Sequence, residues 1–330
     1  MPHLRTLDVS GVGYPMHLPD SMSDHTMPRL LSLKLGPTVF LTRIQAVSSV
    51  TSLELHVPPD CRRLFLLFPC VQKVILHRVW STTLLPPELP RSILSMGLCF
   101  TEWEHQDHSE QIQSLGWRLV PIMRLESTSV SRPLEWFTAQ TGHSLSMILS
   151  LRSTTRWAVE MMVNAADQAT LQVFVPYDTF GSVWSWDNQG HWTVRLTELI
   201  VDDLTRLLPI LVKRVQALPS LRSFTLLMRS GLDSVGRWLM SWEDSISLPV
   251  LQELVLAYSA VPNTEDVIRF VQTLPVFLFW GDRRLETLHV VGPGIAQLRQ
   301  NDLSFVSTLC ETLRLDNGNI AQSRSVSTSA

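Results

Sequence analysis

Leu248-Pro249-Val250-Leu251-Gln252-Glu253-Leu254-Val255-Leu256 carries a proline followed at +2, +5 and +7 by apolar residues. The same spacing recurs in Met1-Pro2-His3-Leu4-Arg5-Thr6-Leu7-Asp8-Val9, Met27-Pro28-Arg29-Leu30-Leu31-Ser32-Leu33-Lys34-Leu35, Phe68-Pro69-Cys70-Val71-Gln72-Lys73-Val74-Ile75-Leu76 and Leu218-Pro219-Ser220-Leu221-Arg222-Ser223-Phe224-Thr225-Leu226. With about a third of residues aliphatic or Phe, twenty prolines should give under about one such match by chance; five copies make a repeat. The last two apolar positions are two apart, which sets them on one face of a strand. The proline falls at the strand entrance, where its missing N–H is least harmful.

Weaker copies keep the spacing without the proline: Val50-Thr51-Ser52-Leu53-Glu54-Leu55, Leu285-Glu286-Thr287-Leu288-His289-Val290 and Cys310-Glu311-Thr312-Leu313-Arg314-Leu315. Segments of helical period lie between the copies. Asp203 to Leu218 lines up Leu204, Leu207, Leu208, Leu211, Val215 and Leu218, with Pro209 predicting a kink or a break. A second helix starts at Asn263 or Thr264 as cap, has acids in its first turn, buries Val267, Phe270, Val271 and Leu274, and ends at Pro275. Asp60 to Phe68, Ser234 to Ser245 and Ile295 to Leu309 also read as helices.

One strand and one helix every 20 to 35 residues is the signature of a leucine-rich repeat (~20–29 residues in regular forms), whose units must stack to bury their apolar faces. The expected fold is therefore α/β: an irregular leucine-rich-repeat-like solenoid of alternating strands and helices over 1–317. Its irregular part, 89–201, is expected to place strands at Arg91 to Met96, Leu145 to Leu151 and Leu171 to Val175. Trp103 to Leu115, Leu134 to Thr141 and Thr154 to Asn164 read as the alternating helices. The Ser-rich, aperiodic stretch 318–330 reads as a disordered tail.

Composition narrows the function. The 330 residues carry 27 Lys plus Arg against 30 Asp plus Glu, so no global field favours nucleic acid or an anionic membrane. No apolar run approaches the ~18 residues that cross a bilayer; the longest candidate, Val276 to Trp280, is bounded by Pro275 and Gly281. Cys61, Cys70, Cys99 and Cys310 form no C-x-x-C pair, which fits buried, reduced thiols and a cytoplasmic or nuclear setting. The first residues already belong to a repeat rather than to a signal peptide, and Met1 stands where Met27 stands in a later copy, as an internal Met would.

The repeats resemble the leucine-rich-repeat part of F-box proteins of the divergent fungal kind. The likeness lies in the L-P-x-L-x-x-L-x-L strand entries, the irregular repeat length and the Trp-containing central insertion. It implies a repeat domain that recruits substrates to a cullin-type ubiquitin ligase, whose adaptor subunit would dock on an F-box. Two departures stand against a regular family member. The Asn or Cys ladder positions are occupied by Val12, Thr38, Pro58, Val79, Arg229, Ser259, Pro293 and Gly318, which predicts an irregular arc. No F-box is evident: Leu85-Pro86-Pro87-Glu88-Leu89 is superficially similar to its opening, but Pro90 would interrupt the first helix, and a Pro-rich loop leading into a strand is the better reading.

Chemistry is sparse. Glu102, Glu104, His105, Asp107, His108 and Glu110 are the densest set of metal-ligand types, but without H-E-x-x-H or C-x-x-C context they read as a solvated helix face. Gly142-His143-Ser144-Leu145-Ser146 lacks the second glycine of a nucleophile elbow, which leaves a hydrolase a remote alternative. No phosphate-cradling glycine loop occurs. The expectation is no catalytic residue, no metal and no cofactor.

Two surfaces remain for a protein or peptide partner. Gly181 to Leu196 reads as a hairpin turning at Asp187 to Gly190, with Trp184, Trp186 and Trp192 as either core or an exposed aromatic anchor. The second is the outward strand face, led by Asp8, Lys34, Glu54, Lys73, Thr225, Glu253, His289 and Arg314, with Thr6, Ser32, Ser52, Ile75, Ser223, Val255, Thr287 and Thr312 between them. It lacks the aromatic–basic pattern of a nucleic-acid groove. The leading reading is a non-enzymatic, protein-binding repeat domain; the alternative is a truncated structural remnant or general scaffold without a ligase role. A ligase adaptor is expected as partner only if an F-box lies upstream.

Overall fold

The computed structural model describes residues 3–10, 16–17, 22–37, 39–40, 45–56, 61–80, 83–100, 120–126, 131–141, 144–153, 157–165, 169–176, 192–202, 204–228, 244–297 and 305–317. Its strands in chain order begin with β1 (Thr6–Val9), β2 (Met16–His17), β3 (Ser32–Leu35), β4 (Val39–Phe40), β5 (Ser52–His56) and β6 (Lys73–Val79). They continue with β7 (Ser95–Phe100), β8 (Ile122–Glu126), β9 (Leu145–Ser153), β10 (Trp157–Ala165), β11 (Thr170–Pro176) and β12 (Leu196–Asp202). The last six are β13 (Ser223–Met228), β14 (Ile246–Ser247), β15 (Glu253–Tyr258), β16 (Leu278–Phe279), β17 (Leu285–Val291) and β18 (Cys310–Asp316). The class is mixed α/β, with mostly parallel strands and few helices, and the expected α/β content is borne out at that level.

The chain divides into two compact units: Met1–Gln140 with Gln168–Val175, and Thr141–Asp167 with Pro176–Ala330. In the first, the described strands run parallel in the order β1-β3-β5-β6-β7-β8-β11. In the second the order is β10-β9-β12-β13-β15-β17-β18, parallel except for the antiparallel β10/β9 pair.

Every full copy of the proline motif that lies inside a sheet forms the expected strand. Its +2, +5 and +7 residues are buried together: Leu30, Leu33 and Leu35; Val71, Val74 and Leu76; Leu221, Phe224 and Leu226; Leu251, Leu254 and Leu256. The registers align them row by row, Leu33 with Leu53 and Leu53 with Val74 in the first unit, Phe224 with Leu254 and Leu254 with Leu288 in the second. Burying two to three aliphatic side chains per strand, each contributing about 1.5–3 kcal/mol, is the main stabilising term. At the outermost strands the same positions, Leu7 and Val9 in β1, Leu313 and Leu315 in β18, are only partly buried.

Helices are fewer than one per strand among the described residues. Leu204–Arg214 passes unbroken through Pro209 and packs on β9, β12 and β13. Thr264–Phe277 is capped by Asn263, whose side chain accepts from the Glu265 N–H at 3.1 Å, and Glu265 and Asp266 fill its first turn as expected. It does not stop at Pro275. Leu274 and Phe277 on either side are buried, and their packing outweighs one lost backbone hydrogen bond near the helix end.

Other expectations are corrected. In place of the helix expected over Thr154 to Asn164, residues 157–165 form β10, antiparallel to β9, and 154–156 lie outside the described residues. Apolar residues on both faces fit either period, and the non-local pairing decides. Arg91 to Met96 is a turn leading into β7, which starts at Ser95, and the Pro-rich stretch before it is a loop, as expected. The helix expected over Asp60 to Phe68 shrinks to Leu64–Leu67. Of the helix expected over Ile295 to Leu309, the described residues show 3-10 turns at Ile295–Gln297 and 305–308, and 298–304 lie outside the described residues. Ser131–Gln140 is the helix expected from Leu134 to Thr141, and β9 and β11 are the strands expected nearby. The Trp103 to Leu115 helix, most of Ser234 to Ser245 and the tail 318–330 lie outside the described residues.

Candidate binding surface

Alternation along a strand sends every second side chain away from the core, and parallel pairing lines these side chains up across the sheet. In the first unit the register gives three outward rows. The first holds Thr6, Ser32, Ser52, Lys73 and Ser95; the second Asp8, Lys34, Glu54, Ile75 and Gly97; the third His56, His77 and Cys99. The sequence-derived residues Asp8, Lys34, Glu54 and Lys73 are thus brought together on one face, and Asp8 and Lys73 are exposed.

The second row alternates in charge. Glu54 Oε1 accepts from Lys34 Nζ at 2.8 Å and from His77 Nε2 at 3.0 Å. Partial burial pushes the Glu54 carboxyl up, but the hydrogen bonds from Lys34 and His77, helped by their charges, hold it below the usual carboxylate range. The same pairing raises the Lys34 ammonium. Asp8 accepts from the Ser10 hydroxyl at 2.6 Å and the Ser10 N–H at 2.9 Å, which lowers its carboxyl; Lys34 adds a smaller pull.

Behind this row His56 and His77 stack, ring centroids 5.2 Å apart and planes inclined by 30°. Burial, then the neighbouring His77 and Arg78, lowers the His56 imidazole, and its Nδ1 is buried without a hydrogen-bond partner. Further along, the Arg124 guanidinium lies 4.4 Å from the Phe174 ring centroid, a cation–π contact. The histidine pair escaped the sequence reading. Its signal was available: both residues directly follow the last strand leucine of a repeat, Leu55 and Leu76.

In the second unit the outward face is partly closed. Val255, Ala257 and Val291 form a buried apolar cluster with Leu227 against it. Thr225, expected to be available to a partner, is 1% exposed, and Val255 is 4% exposed. Thr225 stands in register between Ile200 and Val255, so apolar neighbours flank it. Glu253 is tied to Ser223, whose hydroxyl donates at 3.1 Å, and His289 Nε2 to Asp316 Oδ2 at 2.7 Å. Arg314 is exposed on β18. At the entrances of β12, β13 and β15 a cleft of about 400 Å³ is lined by Arg195, Thr197, Ser220, Arg222 and the exposed Val194 and Val250. Arg195 Nη2 donates to the Thr141 carbonyl, and Arg222 is exposed.

Trp192 is 3% exposed and precedes the 3-10 turn Thr193–Arg195, so the second arm expected for the Trp hairpin is a turn feeding β12. Trp184 and Trp186 lie outside the described residues, as do the Glu102 to Glu110 cluster and Gly142-His143. Among the described residues no three His, Cys, Asp or Glu side chains converge as metal ligands. No helix there is long and apolar enough to cross a membrane. Cys61, Cys99 and Cys310 are buried, whereas Cys70 is exposed.

Comparison of the chain with family models, with curated proteins and with solved structures finds no match.

Proposed function

We propose that the chain is a non-catalytic protein-binding domain of irregular leucine-rich-repeat type, and that the outward rows of β1, β3, β5 and β6 are its contact surface. One observation carries the reading. Asp8, Lys34 and Glu54, drawn from three separate repeats, line up in one charge-alternating row, and His77 of a fourth meets Glu54 beside it. Side chains spaced by a rigid sheet present fixed polar contacts at little entropic cost, which suits recognition of a protein or extended peptide. The balanced charge disfavours nucleic acid.

The resemblance to F-box repeat proteins supports a narrower version, in which the bound protein is a ubiquitin-ligase substrate in the cytoplasm or nucleus. The test is affinity purification of the chain, with any upstream coding segment included, from its own cells. Recovery of a partner that is lost in Lys34→Glu and regained in Lys34→Glu/Glu54→Lys supports the surface. Co-purification of the ligase adaptor supports the ligase role; its consistent absence reduces the function to a scaffold.

A further inference from the structure

We propose that the chain associates head to tail, β1 of one copy adding in parallel to β18 of another. Both strands are outermost in their sheets among the described residues, and an outermost strand offers a row of backbone groups for pairing. Their inner-face residues, Leu7 and Val9, Leu313 and Leu315, are only partly buried, whereas the equivalent residues of interior strands are fully so. Among the described residues, each edge therefore lacks a neighbour of the kind that the other supplies.

The junctions already present define the geometry. Ser32 N–H donates to Arg5 C=O, Ser52 to Leu31, Lys73 to Thr51, Ser95 to Gln72, Glu253 to Arg222 and Thr287 to Gln252, at 2.9–3.1 Å. In each, the N–H of the first outward row donates to the carbonyl just before that row on the preceding strand. Applied to β18 followed by β1, the rule brings Thr6 N–H to Glu311 C=O. It sets Thr6 beside Thr312, Leu7 beside Leu313, Asp8 beside Arg314 and Val9 beside Leu315.

The charges select this register. Asp8 and Arg314 are both exposed, and they meet as an opposite-charge cross-strand pair, extending the array to Arg314, Asp8, Lys34, Glu54. A two-residue slip one way sets Asp8 against Asp316; the other way it sets Leu7 against the Glu311 carboxylate. A one-residue slip sends leucines to the wrong face. Such a contact uses different surfaces on the two copies, so copies build a closed ring where the rotation closes and an open chain where it does not.

Sedimentation velocity of the full chain tests the proposal. The mean mass should rise with concentration in low salt and fall as salt screens the exposed pair. Asp8→Arg and Arg314→Asp should each weaken association by on the order of tenfold. An equimolar mixture of the two variants should regain it, because each restores the pair of the other. Asp8→Asn, which keeps an acceptor for Ser10, serves if Asp8→Arg unfolds, and slowed amide exchange at Thr6 with rising concentration reports the edge directly. A mass of one chain at every concentration would leave the edge to a different chain and overturn the proposal. Association indifferent to both reversals, or a mixture of folded variants that fails to regain it, would do the same.

Discussion

His77 stacks on His56 at 5.2 Å while its Nε2 faces Glu54 at 3.0 Å, so one imidazole bridges a carboxylate and a second imidazole. The arrangement makes stability depend on pH from the His56 side. Its folded-state imidazole is lowered below the ordinary 6.5, so below that pH the unfolded chain binds the extra proton first. This stability is fully present above pH 6.5 and is lost as pH falls through the folded value. Melting temperature followed from pH 8 to 5 should drop in that window. His56→Phe keeps a ring in the stack and removes the buried, unpartnered Nδ1, and should flatten the drop. An unchanged slope in the variant would exclude His56 as its source.

Glu54 gives a second, more acidic window. Its carboxyl is held below the ordinary 4.5, so the pairing with Lys34 and His77 stabilises above pH 4.5 and is lost as pH falls through the folded value. Glu54→Gln should erase that acid-side loss. At neutral pH it should lower the melting temperature only slightly, by an amount that added salt removes, because the pair is partly exposed.

Core positions should differ sharply between interior and outermost strands. Leu254 is fully buried in β15, and Leu254→Ala should cost about 2–5 kcal/mol, while Leu254→Asp should abolish folding. Leu7→Ala in β1, at the same motif position, should cost well under that, since part of its side chain is already in water. Equal losses in chemical denaturation would refute the outermost placement of β1.

Two backbone sites offer local tests. Asn263→Ala removes the cap of Thr264–Phe277 and should cost about 1 kcal/mol, with Asn263→Asp close to neutral. Gly36→Ala would place a Cβ 2.7 Å from the Ser10 carbonyl oxygen, so it should loosen the β1–β3 contact even though the change is a single methyl. Faster amide exchange confined to residues 6–9 and 32–35 is the expected signature.

The strands were legible because +2, +5 and +7 spacing is a local property, and Leu30, Leu33 and Leu35 report it without reference to the rest of the chain. So was the charge array, since Lys34 and Glu54 occupy the same place in successive repeats. What the spacing could not tell is what lies beyond a strand's own neighbours. Thr225 alternates correctly and is nevertheless buried, because alternation assigns a face and not its covering. Residues 157–165 carry Trp157, Val159, Met161, Val163 and Ala165 on one face and Ala158 and Met162 beside Glu160 and Asn164 on the other, and the pairing with β9 makes them a strand. Pro209 and Pro275 sit inside helices because buried neighbours outweigh their local effect.

The inner and outer rows of β3, β5 and β6 also divide the labour of mutation. Leu33, Leu53 and Val74 specify the strand, while Lys34, Glu54 and Ile75, one residue on, face the other way. Exchanges at the second set leave the packing of the first untouched. The outward chemistry of these strands can therefore change while the folding instructions stay constant, and the sheet becomes a fixed page on which the text is rewritten.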